Sequence, residues 1–160
     1  MVWHLAQVNI ARFRKPADDP ANADFMAALD HVNALAETSP GFIWRLTGDG
    51  NNAVDLQPFD DPHIAINMSV WESVDALAAF VYRNMDHRGV MRRRREWFEE
   101  MQVYMALWWV PAGATPTVAE AKERLARLEA RGLSAEAFTF KQPFPPPSGD
   151  VVAPVLDECA

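Results

Sequence analysis

The run from Val2 to Phe13 reads as a strand with both faces largely apolar. This places Trp3, Leu5, Gln7, Asn9 and Ala11 on one face of a strand and Val2, His4, Ala6, Val8 and Ile10 on the other. The polar stretch Lys15 to Pro20 breaks the pattern. A helical period follows from about Asn22 to Glu37, with Phe25, Leu29, Val32 and Leu35/Ala36 in register, and Ser39-Pro40-Gly41 stops it. Phe42 to Thr47 and Ile64 to Trp71 read as second and third strands, joined by the Gly-, Asn- and Asp-rich segment Gly48 to Pro62. Ser73 is placed to cap a helix carrying Leu77, Phe80 and Val81 to about Asn84. A second helical piece is expected from Val90 to Gln102, a fourth strand from Tyr104 to Val110, and a last helix from Val118 to Arg131, capped by Thr117 and ended by Gly132. Phe138 to Ala160 carries Phe144-Pro145-Pro146-Pro147 and reads as an extended tail.

The order β-α-β-β-α-β is the split βαβ or ferredoxin-like pattern, an α+β fold with one antiparallel sheet, here with an extra C-terminal helix and tail. It divides the chain into residues 1–112, the ferredoxin-like unit, and 113–160, the helix and Pro-rich tail packing on the same domain. Strands one, three and four are apolar on both faces: Ile64, Ile66, Met68 and Val70 oppose Ala65, Asn67, Ser69 and Trp71. A sheet wetted on one side alternates more cleanly. The second face therefore calls for a cover, and the same sheet of a second subunit is the economical one, giving a homodimer closed into a dimeric α/β barrel.

Composition narrows the function classes. The chain of 160 residues fits one domain, and 15 Lys+Arg against 22 Asp+Glu give a net charge of −7. Nucleic acid and anionic membrane both require a basic footprint, so neither is expected as a partner. The single cysteine, Cys159, excludes an internal disulfide and a cysteine zinc site. No basic n-region with an apolar core opens the chain and no long apolar run crosses it, so a cytoplasmic setting is expected. Motifs for hydrolases, kinases and nicotinamide-dependent enzymes are missing, no metal-ligand spacing occurs, and no cofactor is expected.

The aromatic crowd from Trp71 to Val110, with four of the six tryptophans, suits either packing or a pocket for a flat apolar ligand. Trp71, Trp44 and Trp108 are candidates to line it, with Asn67. Period two puts Trp108 and Trp109 on opposite faces. His87 reads as a general base or as a helix-end histidine favoured by the dipole. Asn9 and Gln7, on a central strand, either hold a substrate carbonyl or bond only to Asn67 or water. Arg45 points away from Trp44 and Leu46, toward solvent or a carboxylate. Arg92-Arg93-Arg94-Arg95 cannot all face one partner, and Glu96, Glu99 and Glu100 are spaced to neutralise most of the run. Asp60-Asp61-Pro62-His63 reads as turn chemistry.

Several segments together carry a resemblance: Leu5-Ala6-Gln7-Val8-Asn9, Ser39 to Leu46, Asn67-Met68-Ser69-Val70-Trp71, Trp97-Phe98, Leu107 to Pro111 and Ala137 to Phe140. They resemble domain-of-unknown-function family 3291, within the dimeric α/β-barrel superfamily that includes antibiotic biosynthesis monooxygenases and haem-degrading monooxygenases. The resemblance implies a barrel dimer and a cofactor-independent, monooxygenase-like activity on a small aromatic or polyketide-like substrate. Asn9 would polarise a carbonyl and His87 or Tyr82 would take a proton. A non-catalytic dimer binding a small apolar ligand is the alternative. The haem-degrading relatives match at Asn9 and Trp71, but at their axial-histidine position this chain has Phe80, Val81 and Tyr82, with His87 further on, so haem is the minor reading.

Overall fold

The structure, a computed structural model, describes residues 2–83 and 85–147, apart from the side chains of 85–88. Strand β1 spans Trp3–Phe13, helix α1 Ala23–Glu37, β2 Phe42–Arg45 and β3 Ile64–Trp71. Helices α2 (Val74–Arg83) and α3 (Met85–Trp97) follow, then β4 (Phe98–Glu99), β5 (Met105–Pro111) and α4 (Val118–Arg131). All sheet pairings are antiparallel, and the order β2-β3-β1-β5 is the ferredoxin-like one, with the short β4 bonded to the far end of β1 beside Arg12 and Phe13.

Local chemistry accounts for most boundaries. Gly41 turns the chain from α1 into β2 at φ 86°, and a Cβ there would lie 2.5 Å from that of Ala76, so only glycine fits. Ser73 Oγ accepts from the Ala76 amide at 3.0 Å and Thr117 Oγ1 from Glu120 at 3.1 Å, capping α2 and α4. Helix α3 begins and ends about five residues earlier than the sequence suggests. It stops at Trp97 because Phe98 and Glu99 leave to pair with β1.

Each face of the sheet has its own cover. Ala6, Val8, Ile10, Ile66, Met68, Val70, Ala106 and Trp108 point to one side. There they meet Ala121 and Leu125 of α4, with Val118 and Leu128 alongside, and Ala53, Leu56 and Phe59 of the long β2–β3 connection. Leu5, Trp71 and Leu107 point to the other side, against Ala36 of α1, Leu77 and Phe80 of α2, and Phe138 and Phe144 of the tail.

The face expected to seek a partner sheet is already covered by α4 and the β2–β3 connection of the same chain. The apolar stripe Val118, Ala121, Leu125 and Leu128, read from the sequence as part of an appendix, is that cover.

Candidate functional site

On the helix side the sheet reads in cross-strand rows, because paired residues in an antiparallel sheet share a face. The first row, Trp109, Leu5, Trp71 and Phe42, is apolar, and the second is Leu107, Gln7, Ser69 and Arg45. The third is Met105, Asn9 and Asn67, followed by Ala11 with Ala65. Phe13 closes the face in an aromatic cluster with Phe25 at 5.6 Å and Phe98 at 4.8 Å between ring centroids. Leu5, Gln7, Ser69, Trp71 and Phe13 are buried. Asn9, Ala11, Ala65, Asn67 and Met105 between them are only half-buried. The third and fourth rows, with their two carboxamides and two alanines, thus form a partly accessible strip beside buried neighbours.

The polar bonds of this strip run toward the first row. Gln7 Nε2 donates to Asn67 Oδ1 and to Ser69 Oγ, both at 2.9 Å. Trp71 Nε1 donates to the same Ser69 Oγ at 2.9 Å. Asn67 therefore spends its oxygen on Gln7 and keeps its two N–H donors uncommitted among the described residues. The Asn9 side chain, directly across the ladder from Asn67, makes no hydrogen bond to any described residue. Buried carboxamides are normally paired. Two that are half-buried, adjacent and free to donate can hold a carbonyl or phenolate oxygen. Asn33, buried among the inward positions of α1, adds a fourth carboxamide, after Gln7, Asn9 and Asn67, to this side of the sheet. The third and fourth rows contain no titratable side chain.

The remaining site candidates are dispersed. Trp71 is 1% exposed, stacked on Phe80 at 5.4 Å and edge-on to Phe42. It holds the end of the strip from behind and offers no free ring face. A tetrapyrrole against Trp71 would need the space that Phe80 and Leu77 fill, so these residues do not fit haem. Trp108 is fully buried on the opposite face and donates to Glu120 Oε1 at 3.1 Å. Trp44 packs beside it in that same core. An aromatic box of Trp71, Trp44 and Trp108 therefore does not form: the sheet lies between the first and the other two. Trp109, on the helix side, donates to the Phe144 carbonyl at 2.9 Å.

Tyr82 is exposed near the end of α2, with its ring edge-on to Phe140 at 5.4 Å. Partial burial and the neighbouring Tyr104 raise its pKa above the usual phenol value. It is accordingly a poor proton acceptor near neutrality. His87 lies on α3, and its side chain is outside the described residues. Among the described candidates, Asn9 and Asn67 share a row on the helix side, Gln7 bonds to Asn67, and Trp44 and Trp108 share the opposite core. Sequence reasoning missed Ser69, which accepts from both Gln7 and Trp71, although its place two residues before Trp71 on the same strand face was readable.

Arg45 and the acidic turn make the local bonds that their sequence context suggests. Arg45 turns to the helix side and donates to Glu37 Oε1 and the Asn51 carbonyl, each at 2.6 Å. In the acidic turn, the His63 amide donates to Asp61 Oδ1 and Arg12 Nε to Oδ2, both at 2.9 Å. These bonds, the backbone one foremost, hold the Asp61 carboxyl below its ordinary range. No cluster of His, Cys, Asp or Glu that could hold a metal occurs among the described residues. None of the described helices is long and apolar enough to cross a membrane.

A five-stranded antiparallel sheet with β2-β3-β1-β5 as its main order, and with α1 and α2 on one face, defines a ferredoxin-like α+β domain, here with α4 added on the second face. The chain belongs to the family described as Domain of unknown function (DUF3291), whose model matches residues 4–153. No curated protein matches the sequence.

Among solved structures it is similar to SnoaB, a cofactor-independent oxygenase from Streptomyces nogalater. The identity is 16% and the TM-score 0.46, over 70% of this chain and 95% of that one. A monooxygenase from Streptomyces coelicolor in complex with nanaomycin D is 16% identical with a TM-score of 0.44, over 72% and 93%. The protein Rv0793 from Mycobacterium tuberculosis is 13% identical with a TM-score of 0.48, over 71% and 99%. Likeness at this level concerns the chain path and carries nothing about substrates.

Proposed function

We propose that this protein binds a small, flat, oxygen-bearing aromatic molecule over the strip between Asn9 and Asn67 and oxygenates it without a cofactor. The observation that carries the reading is the pair of adjacent, half-buried carboxamides with uncommitted N–H donors on the central strands β1 and β3. Donors fixed on strands lose little on binding, and they stabilise negative charge developing on a substrate oxygen. The aromatic cluster around Phe13 at one end and the packed Trp71 at the other bound an apolar strip suited to a fused ring. In the reaction an activated ring CH2 becomes a carbonyl. One atom of dioxygen enters the substrate, the other leaves as water with the two hydrogens, and the substrate supplies the electrons. His87 on α3 is the proposed proton acceptor, in place of Tyr82.

Oxygen uptake with 1,8-dihydroxyanthrone as probe tests this reading. The expected result is one dioxygen consumed per anthraquinone formed, with a fall of about 100-fold in Asn67→Ala, the scale found when one oxyanion donor is removed. A rate equal to that of buffer would overturn it. The second reading, ligand binding without turnover, is favoured by the lack of a titratable group in the third and fourth rows. Saturable binding of the anthrone with no uptake would select it. The homodimer expected from the two apolar sheet faces belongs to this proposal, and light scattering, which measures the mass in solution, tests it.

A further inference from the structure

Helix α3 carries four consecutive arginines, and the structure divides them by face. Arg93 turns toward α1: it donates to Asp24 at 3.0 Å and to Glu96 at 2.7 Å, and its guanidinium lies 4.8 Å from the ring centre of Trp97. Arg92, Arg94 and Arg95 lie on the other side, where they line a cleft of about 450 Å³ with Val81, Tyr82 and Met91. Two of the three acidic residues expected to neutralise the run go elsewhere. Glu96 is taken by Arg93, and Glu99 lies 3.9 Å from Arg12. None of the three cleft guanidiniums has an ion pair or a side-chain hydrogen bond among the described residues. In a chain of net charge −7 this concentration of unspent positive charge is local.

The floor of the cleft is apolar. Met91 and Tyr82 are exposed there, 39% and 57% respectively, and the edge contact with Phe140 fixes the Tyr82 ring. Guanidinium forks match the oxygens of a carboxylate or phosphate, while an exposed aromatic and a methionine accept a ring or chain. We infer that this cleft is a second binding site, taking a small amphiphilic anion: an aromatic body on Tyr82 and Met91 with a carboxylate or phosphate head on Arg92, Arg94 and Arg95. The volume lies within the usual range for small-molecule sites. The acidic balance of the whole chain opposes an extended anionic surface such as a membrane, whereas a small ligand meets only the local charge. Because its pKa is raised, Tyr82 stays a neutral hydroxyl able to donate to the head group.

Calorimetric titration at low ionic strength tests the site, with 1-naphthyl phosphate and 1-naphthoate as probes and 1-naphthol and inorganic phosphate as controls. At least one of the two anionic naphthyl probes should saturate a single site, and its preference over the other names the head group. Naphthol and phosphate alone should bind at least tenfold more weakly. The double variant Arg92→Ala/Arg95→Ala should lose at least tenfold in affinity, while Arg93→Ala stays within twofold. Asn9→Leu should leave the affinity unchanged, which separates failure of this site from failure of the strip over Asn9. Equal affinity for naphthol, equal loss in Arg93→Ala, or sedimentation with phosphatidylglycerol vesicles without saturable probe binding would overturn the inference.

Discussion

The two faces of the sheet are built from the same three strands and use the same alternation, yet one is finished and the other is not. On the α4 side Ala6, Val8, Met68, Val70, Ala106 and Trp108 are at most 1% exposed, and the indole N–H of Trp108 finds its acceptor on the covering helix. On the helix side the burial is interrupted at Asn9, Ala11, Ala65 and Asn67, and there the side chains turn small or polar. A dry, closed face contributes stability. An interrupted one gives up some stability for a place where a ligand can sit, the pattern expected where local rules of packing are broken for function.

Substitutions on the two faces should therefore differ in kind. The largest effect belongs to Trp108→Ala, which empties an indole's volume from the closed core. Urea unfolding should show a loss of about 3–5 kcal/mol. Leu125→Ala on α4 should cost about 2–4 kcal/mol by the same measurement. If it costs under about 0.5, α4 is not the cover described here. Replacing Glu120 by Leu strands the buried indole N–H and should cost about 1–3 kcal/mol, whereas Glu120→Gln keeps an acceptor and should cost less.

On the open face, Asn9→Leu removes no internal hydrogen bond and adds apolar area. Stability should stay within about 0.5 kcal/mol or rise, while anthrone oxygenation falls. The smallest effect concerns pH. The protein has two tyrosines. In a Tyr104→Phe background, phenolate absorbance should report Tyr82 ionising above the ordinary 10.0, through its burial, although loss of the Tyr104 contribution trims the shift. The folded state holds this proton more tightly than the unfolded chain. Its small contribution is thus complete below the ordinary pKa and lost as pH rises through the folded one, so a midpoint at or below 10.0 would contradict it.

Much of the fold was legible because its signals are local. Strand β3, Ile64–Trp71, and helix α4, Val118–Arg131, fall at the bounds that alternation and capping indicate. What covers each face was not legible, because period two says that a strand is apolar on both sides without saying what lies against it. A partner sheet and the chain's own α4 satisfy the same pattern. The site was legible only as a pairing: Asn9 and Asn67 share a row because the register of β1 on β3 brings them together. Trp44 and Trp108 read equally well as ligand-lining until the sheet placed them on the face away from Trp71. Spacing alone assigns the arginine run to neutralising carboxylates, because it cannot tell that Glu96 serves one guanidinium, that of Arg93.

Ligand is proposed to meet the protein on the helix side, at the free carboxamides of the third row. Side-chain resonances test it most directly, by following the Asn9 and Asn67 amide groups and the Trp108 indole N–H by NMR while 1,8-dihydroxyanthrone is added under nitrogen. Saturable shifts of both carboxamides, with the Trp108 indole unmoved, are expected. Saturation that shifts Trp108 and leaves Asn9 and Asn67 in place would contradict it.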